Sequence, residues 1–89
     1  MANIESLEYS RHFLKKLSRL PRRIVEEAQK KERLFVVEPF HSSLRTHKLH
    51  GKDQDMWAFW IDYRYRIKFT FTGEGTVLFL DIGFHDIYE

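Results

Sequence analysis

The sequence predicts an α+β domain of two layers, spanning residues 1–89: an N-terminal strand and a helical hairpin packed on a twisted antiparallel sheet, in the order β-α-α-β-β-β. Three observations carry this expectation. Apolar residues recur at helical spacing on both sides of Pro21. From Trp57 onward the period changes to two, and the residues become aromatic and β-branched, as strands require. Finally, 89 residues at 43% hydrophobic and 16% aromatic content supply one core and leave no room for a second.

Ile4 to Tyr9 reads as a short strand. Ser10 is placed to cap a first helix on which Phe13, Leu14 and Leu17 share a face while Arg11, Lys15 and Lys16 point outward. Pro21 separates this helix from a second, in which Ile24, Val25, Ala28, Leu34 and Phe35 stay near one stripe. Pro39 ends that helix near Val37 or Glu38. The hairpin carries a basic rim of Arg19, Arg22, Arg23, Lys30, Lys31 and Arg33.

Trp57 to Asp62 and Tyr65 to Phe71 are expected to form the next two strands, the second alternating Tyr65, Ile67, Phe69 and Phe71 against Arg64, Arg66, Lys68 and Thr70. Gly73-Glu74-Gly75 makes a turn, and Thr76 to Ile82 is apolar on both faces, as suits a strand covered on both sides, ending at Gly83. With helices on the Ile67 and Phe69 face, Arg66 and Lys68 face the other way, open to a ligand. The hairpin register has two solutions. A two-residue turn at Tyr63-Arg64 sets Phe59 and Ile61 beside Arg66, whereas a longer turn sets Trp60 and Asp62 there. Either leaves an aromatic ring beside the cations, a combination that stacks a base while holding its phosphate.

The net charge of +2, from 15 basic and 13 acidic residues, hides an uneven distribution. Residues 1–33 hold nine basic and five acidic side chains, and residues 34–89 six and eight. The stretch from Phe40 to Lys52 has no acid, its ionisable groups being His41, Arg45, His47, Lys48, His50 and Lys52, and its potential attracts phosphates. The absence of cysteine excludes disulfides, thiolate metal sites and a cysteine nucleophile, and fits a reducing compartment. Charged residues interrupt the first twenty positions, and no apolar run approaches the roughly 18 residues of a membrane span, so a cytoplasmic protein without a membrane partner is expected. His47 and His50, with His41 nearby, have a spacing seen in zinc sites, but the composition favours loop histidines bonded to backbone, and neither metal nor cofactor is expected. Asp81 and Asp86 are candidates to orient His85.

The box His47-Lys48-Leu49-His50-Gly51, the segment Trp57 to Ile67 containing Tyr65-Arg66-Ile67, and the ending Ile82-Gly83-Phe84-His85-Asp86-Ile87-Tyr88 together resemble the RelE/ParE toxin superfamily. Within it, the chain is similar to the RelE, YoeB and YafQ-like ribosome-dependent messenger-RNA interferases of type II toxin-antitoxin systems. The resemblance spans nearly the whole chain and implies a RelE-like fold and metal-independent RNA cleavage. It also implies partners: a cognate antitoxin in a hetero-oligomer, the ribosome and messenger RNA. By position it implies His47 as general base, Arg66 as the cation stabilising the phosphorane, and His85 as general acid. A histidine whose ordinary pKa is about 6.5 suits proton transfer at neutral pH, and the guanidinium fork suits two phosphate oxygens. Lys48, Lys52, Trp60, Lys68 and Tyr88 are the expected RNA contacts. The sequence departs from the family pattern at Trp57-Ala58-Phe59-Trp60, where relatives carry basic residues. Two other readings follow from the same resemblance: a ParE-like toxin acting on DNA gyrase without nuclease chemistry, and a catalytically degenerate RNA-binding relative. A nuclease requires His47, Arg66 and His85 within reach of one phosphate, about 10–12 Å across the group.

Overall fold

A computed structural model describes residues 4–51 and 55–88, apart from the Tyr88 side chain. Strand β1 (Ser6–Tyr9) leads into helix α1 (Arg11–Leu17), and helix α2 (Arg22–Val37) follows. A 3-10 turn at Ser42–Leu44 precedes the two-residue strand β2 (His47–Lys48). Strands β3 (Trp57–Trp60), β4 (Tyr65–Gly73) and β5 (Thr76–Phe84) complete the sheet, and a 3-10 turn, His85–Tyr88, follows β5. The α+β architecture read from the sequence is the one observed.

The helix boundaries follow local chemistry. Ser10 Oγ accepts from the Phe13 amide at 3.0 Å, satisfying a donor that the first turn leaves unpaired. Pro21 occupies the N-cap of α2, where its missing amide costs nothing, and α2 stops at Val37, two residues before Pro39. Ile24, Ala28 and Phe35 form the buried stripe of α2. The Phe35 ring stacks on Phe59 at 4.6 Å and meets Phe69 edge-on at 4.9 Å, so α2 is pinned to the sheet by aromatic contacts. Leu14 departs from expectation: it is 49% exposed, because α1 is too short and too peripheral for a wide apolar face, and Phe13 alone on this helix is buried.

The sheet order is β1-β5-β4-β3-β2, with β1 parallel to β5 and every other pair antiparallel. Thus β5 lies inside the sheet, which accounts for its apolar composition. Beyond Tyr9 the edge of β5 is covered by α1 instead of a strand. The Ser10 amide donates to the Phe79 carbonyl at 2.9 Å, and Ser10 Oγ donates to the Leu80 carbonyl at 3.1 Å. Near the far end of α1, Lys16 Nζ reaches Asp81 Oδ1 at 2.7 Å. Strand β2, a pairing too short to show as a pattern in sequence, adds the fifth strand at the opposite edge.

The β3-β4 register pairs Trp57 with Phe69, Ala58 with Lys68, Phe59 with Ile67 and Trp60 with Arg66. The longer of the two turns is therefore the one adopted. Its cause is local: Asp62 Oδ1 accepts the amides of Arg64 and Tyr65, each at 2.8 Å, and folds the chain back after Ile61. Between β4 and β5, Lys68 pairs with Asp81 but Phe69 with Phe79, leaving Leu80 as the extra residue of a bulge.

Candidate active site

Strand pairing sorts the site residues by face. Phe59, Ile67 and Phe69 point toward α2 and are fully buried. Trp60 and Arg66 point the other way as a cross-strand pair, and His47, opposite Ala58, stands on that same face beside the Lys68 row. Lys48, one residue on and opposite Trp57, stands on the helix side of the sheet, away from Arg66.

Arg66 faces away from the core, but it is not open to solvent as expected: it is only 6% exposed. Its Nη1 donates to the carbonyls of Asp62 at 2.8 Å, Tyr63 at 3.0 Å and Tyr65 at 3.2 Å, so two hydrogens are shared among three acceptors of the hairpin turn. Its Cζ lies 3.9 Å from the centroid of the Trp60 ring, and Arg45 lies over the same indole at 4.5 Å. A buried guanidinium needs such compensation, because an uncompensated charge costs several kcal/mol. Each cation-π contact contributes about 0.5–2 kcal/mol. Among the described residues, Arg66 Nε and Nη2 take no hydrogen bond, which leaves that edge of the fork uncommitted.

Arg45 is the one non-glycine described residue with positive φ, at 50°, immediately after the Ser42–Leu44 turn. This left-handed conformation costs about 1–2 kcal/mol and directs the chain into β2. The sequence reading did not assign Arg45. Its only signal there was membership of the acid-free stretch, and its ring contact needs the fold to bring it to Trp60. That contact also engages the indole that the sequence reading set aside for a base.

An open recess of about 560 Å³ is lined by Tyr63, Arg64, Arg66, Phe84 and His85. The β5 strand carries its end past Arg66, and the His85 amide donates to the Arg64 carbonyl at 3.1 Å, fixing His85 against the hairpin turn. Arg66 and His85, distant in sequence, thus share one cavity. Asp81 does not serve His85: its Oδ1 is engaged by Lys16 and, at 3.2 Å, by His12 Nε2, because α1 lies along this edge. Tyr63, Arg64 and Phe84 were missed as site residues, since turn residues and strand ends carry no periodic signal.

His47 does not line this recess. Two strand spacings across and two residues along the sheet put its Cα about 12 Å from that of Arg66. Its Nδ1 donates to the Arg45 carbonyl at 2.8 Å, which in the neutral ring assigns the basic lone pair to Nε2. Lys48, with Leu49, His50 and Gly51, lines a separate shallow recess of about 360 Å³. Lys68 is half-buried in the row between His47 and Asp81. Lys52 and the side chain of Tyr88 lie outside the described residues. His41 Nδ1 accepts the Ser43 amide, capping a turn. No three histidine, aspartate or glutamate side chains converge as metal ligands among the described residues. No helix among them is long and apolar enough to cross a membrane.

No protein-family model matches the sequence, and no curated protein matches it. Solved structures do match. A YoeB/ParE toxin from Agrobacterium tumefaciens superposes with a TM-score of 0.75 at 20% identity, covering 90% of this chain and 98% of that one. YafQ from Escherichia coli gives 0.76 at 15% identity, with 91% and 93% covered. The RelBE2 toxin-antitoxin complex from Mycobacterium tuberculosis gives 0.79 at 16%, with 96% and 94% covered. The chain therefore has the RelE/YoeB/ParE/YafQ toxin fold, as the sequence motifs implied.

Proposed function

We propose that this protein is the toxin of a type II toxin-antitoxin system and a metal-independent endoribonuclease that cleaves messenger RNA on the ribosome. The observation that carries the reading is the shared recess of Arg66 and His85, in a fold common to the RelE, YoeB and YafQ toxins. In the proposed reaction the ribose 2′-oxygen attacks the adjacent phosphorus and its proton passes to solvent, because His47, two strands from the recess, is too far to take it directly. The bond from phosphorus to the 5′-oxygen breaks, and His85 supplies that oxygen with a proton. The products are a 2′,3′-cyclic phosphate and a 5′-hydroxyl, so no atom is left unbalanced and no metal is required. Arg66, whose Nη1 is anchored on three carbonyls, would offer Nε and Nη2 to two phosphorane oxygens, and a donor held in advance costs no reorganisation as charge develops. Lys68 lies on the same face and would add to the field on the phosphate. Silencing would come from a cognate antitoxin, as the complexes of the Mycobacterium tuberculosis and Pyrococcus horikoshii relatives suggest.

The test is induced expression followed by mapping of messenger-RNA ends on translating ribosomes, for wild type, Arg66→Ala and His85→Ala. New ends within codons are expected for the wild type, with cleavage lowered about 100-fold or more in each variant, in keeping with loss of a transition-state donor or a proton donor. Growth arrest without new ends, the outcome expected of a toxin acting on gyrase, would remove the nuclease reading. RNA binding without cleavage would identify a degenerate relative instead.

A further inference from the structure

The most exposed aromatic ring in the described chain belongs to the recess. Tyr63 is 80% exposed at the tip of the β3-β4 turn, and no described residue stacks on it. Phe84, 51% exposed, lines the same cavity, with its ring stacked on Tyr65 at 4.9 Å. The remaining lining is Arg64, Arg66 and His85. A cavity of about 560 Å³ that joins an unpaired aromatic face to adjacent cations has the chemistry of a single nucleotide, a planar base tethered to a phosphate. Trp60 is poorly suited to hold that base, since Arg45 and Arg66 already lie over its indole.

The backbone at Tyr63 is fixed despite the exposure of the ring. Its carbonyl accepts Arg66 Nη1 at 3.0 Å, and the Asp62 side chain ties down the two residues that follow it. The group that would hold the phosphate thus also anchors the backbone that carries the ring, which keeps the two contacts on one short segment. We propose that this recess is a nucleotide subsite in which the Tyr63 ring stacks the base of the nucleotide whose phosphate is held by Arg64 and Arg66. This assignment rests on the RNA-directed reading above.

The test measures binding of a 2′-O-methyl trinucleotide, which cannot be cleaved, to the isolated protein by heteronuclear NMR titration, with salt varied, for wild type, Tyr63→Phe and Tyr63→Ala. Saturable wild-type binding is expected, with Tyr63→Phe within twofold of it and Tyr63→Ala weaker by roughly 5- to 100-fold. The salt dependence of Tyr63→Ala should match wild type, because no phosphate contact is removed. Absence of saturable wild-type binding, a Tyr63→Ala affinity within twofold of wild type, an equal loss in Tyr63→Phe, or a reduced salt slope in Tyr63→Ala would each overturn the subsite. Ribosome end mapping separates the two readings. Tyr63-dependent binding without cleavage by the wild type removes the interferase and keeps the subsite. Wild-type cleavage with trinucleotide binding unchanged in Tyr63→Ala does the reverse.

Discussion

Individual side chains here perform tasks that their type alone does not announce. Arg66 is both a structural bolt and a candidate catalytic cation: one nitrogen closes the hairpin turn while the other edge of its fork remains uncommitted. Trp60 holds two guanidinium groups over its indole, those of Arg45 and Arg66. Away from the site, Tyr9 shows how local surroundings set a proton affinity. Partial burial, then a 2.9 Å hydrogen bond to Glu32 and the charge of that carboxylate, push its hydroxyl up to about 12. The folded state thus holds the phenolic proton more tightly than the unfolded chain, where tyrosine titrates near 10. This stabilisation is complete below pH 10 and is lost as pH rises from 10 to 12. Urea midpoints between pH 9 and 12 should therefore fall more steeply for wild type than for Tyr9→Phe; parallel curves would contradict the assignment.

At the scale of elements, the end of β5 and the turn after it form a joint on which the site depends. Gly83 pairs with Arg66, and a Cβ at this position would come 2.8 Å from Ile87 Cγ2 and 3.1 Å from Lys16 Nζ. The lysine can move aside, but Ile87 belongs to the His85–Tyr88 turn, so the turn must shift to admit a methyl group. Gly83→Ala should cost about 1–3 kcal/mol of stability, as overpacking does. On the proposed nuclease reading it should also reduce messenger-RNA cleavage at least tenfold by displacing His85. Amide chemical-shift changes confined to residues 83–88 and the facing turn would support this; changes spread through α2 would not. The joint was partly legible beforehand. Gly83 was read as a strand end, whereas its pairing with Arg66 follows from a register that pattern could not choose. The side chain of Asp62 made that choice by capturing two amides, an interaction with no periodic trace.

For the molecule as a whole, stability and function are divided between the two faces of one sheet. The helix side is a continuous apolar core in which Phe35 touches Phe59, Phe69 and Phe79. Phe35→Ala should cost about 3–5 kcal/mol. For a domain whose total stability is about 5–15 kcal/mol, that loss should leave a visibly populated unfolded state in urea titrations at 37 °C. A loss below 1 kcal/mol would mean that α2 is held chiefly by other contacts. The opposite face carries Arg66 and Trp60 at its centre and His47 at its margin.

The sequence by itself determined the helices, the period of the strands, the apolar face that must be buried and the polar face that follows from it. These depend on interactions between residues close in the chain: a serine cap, two prolines, and side chains that alternate with the pleat. Tertiary structure alone decided which residues meet across the sheet. It brought His85 to Arg66, Arg45 to Trp60 and α1 to Asp81, and it left His47 two strands away from the recess. The physical reason is that such contacts arise from strand order, a bulge at Leu80 and a turn at Asp62, each of which moves distant side chains together without altering the local pattern around them.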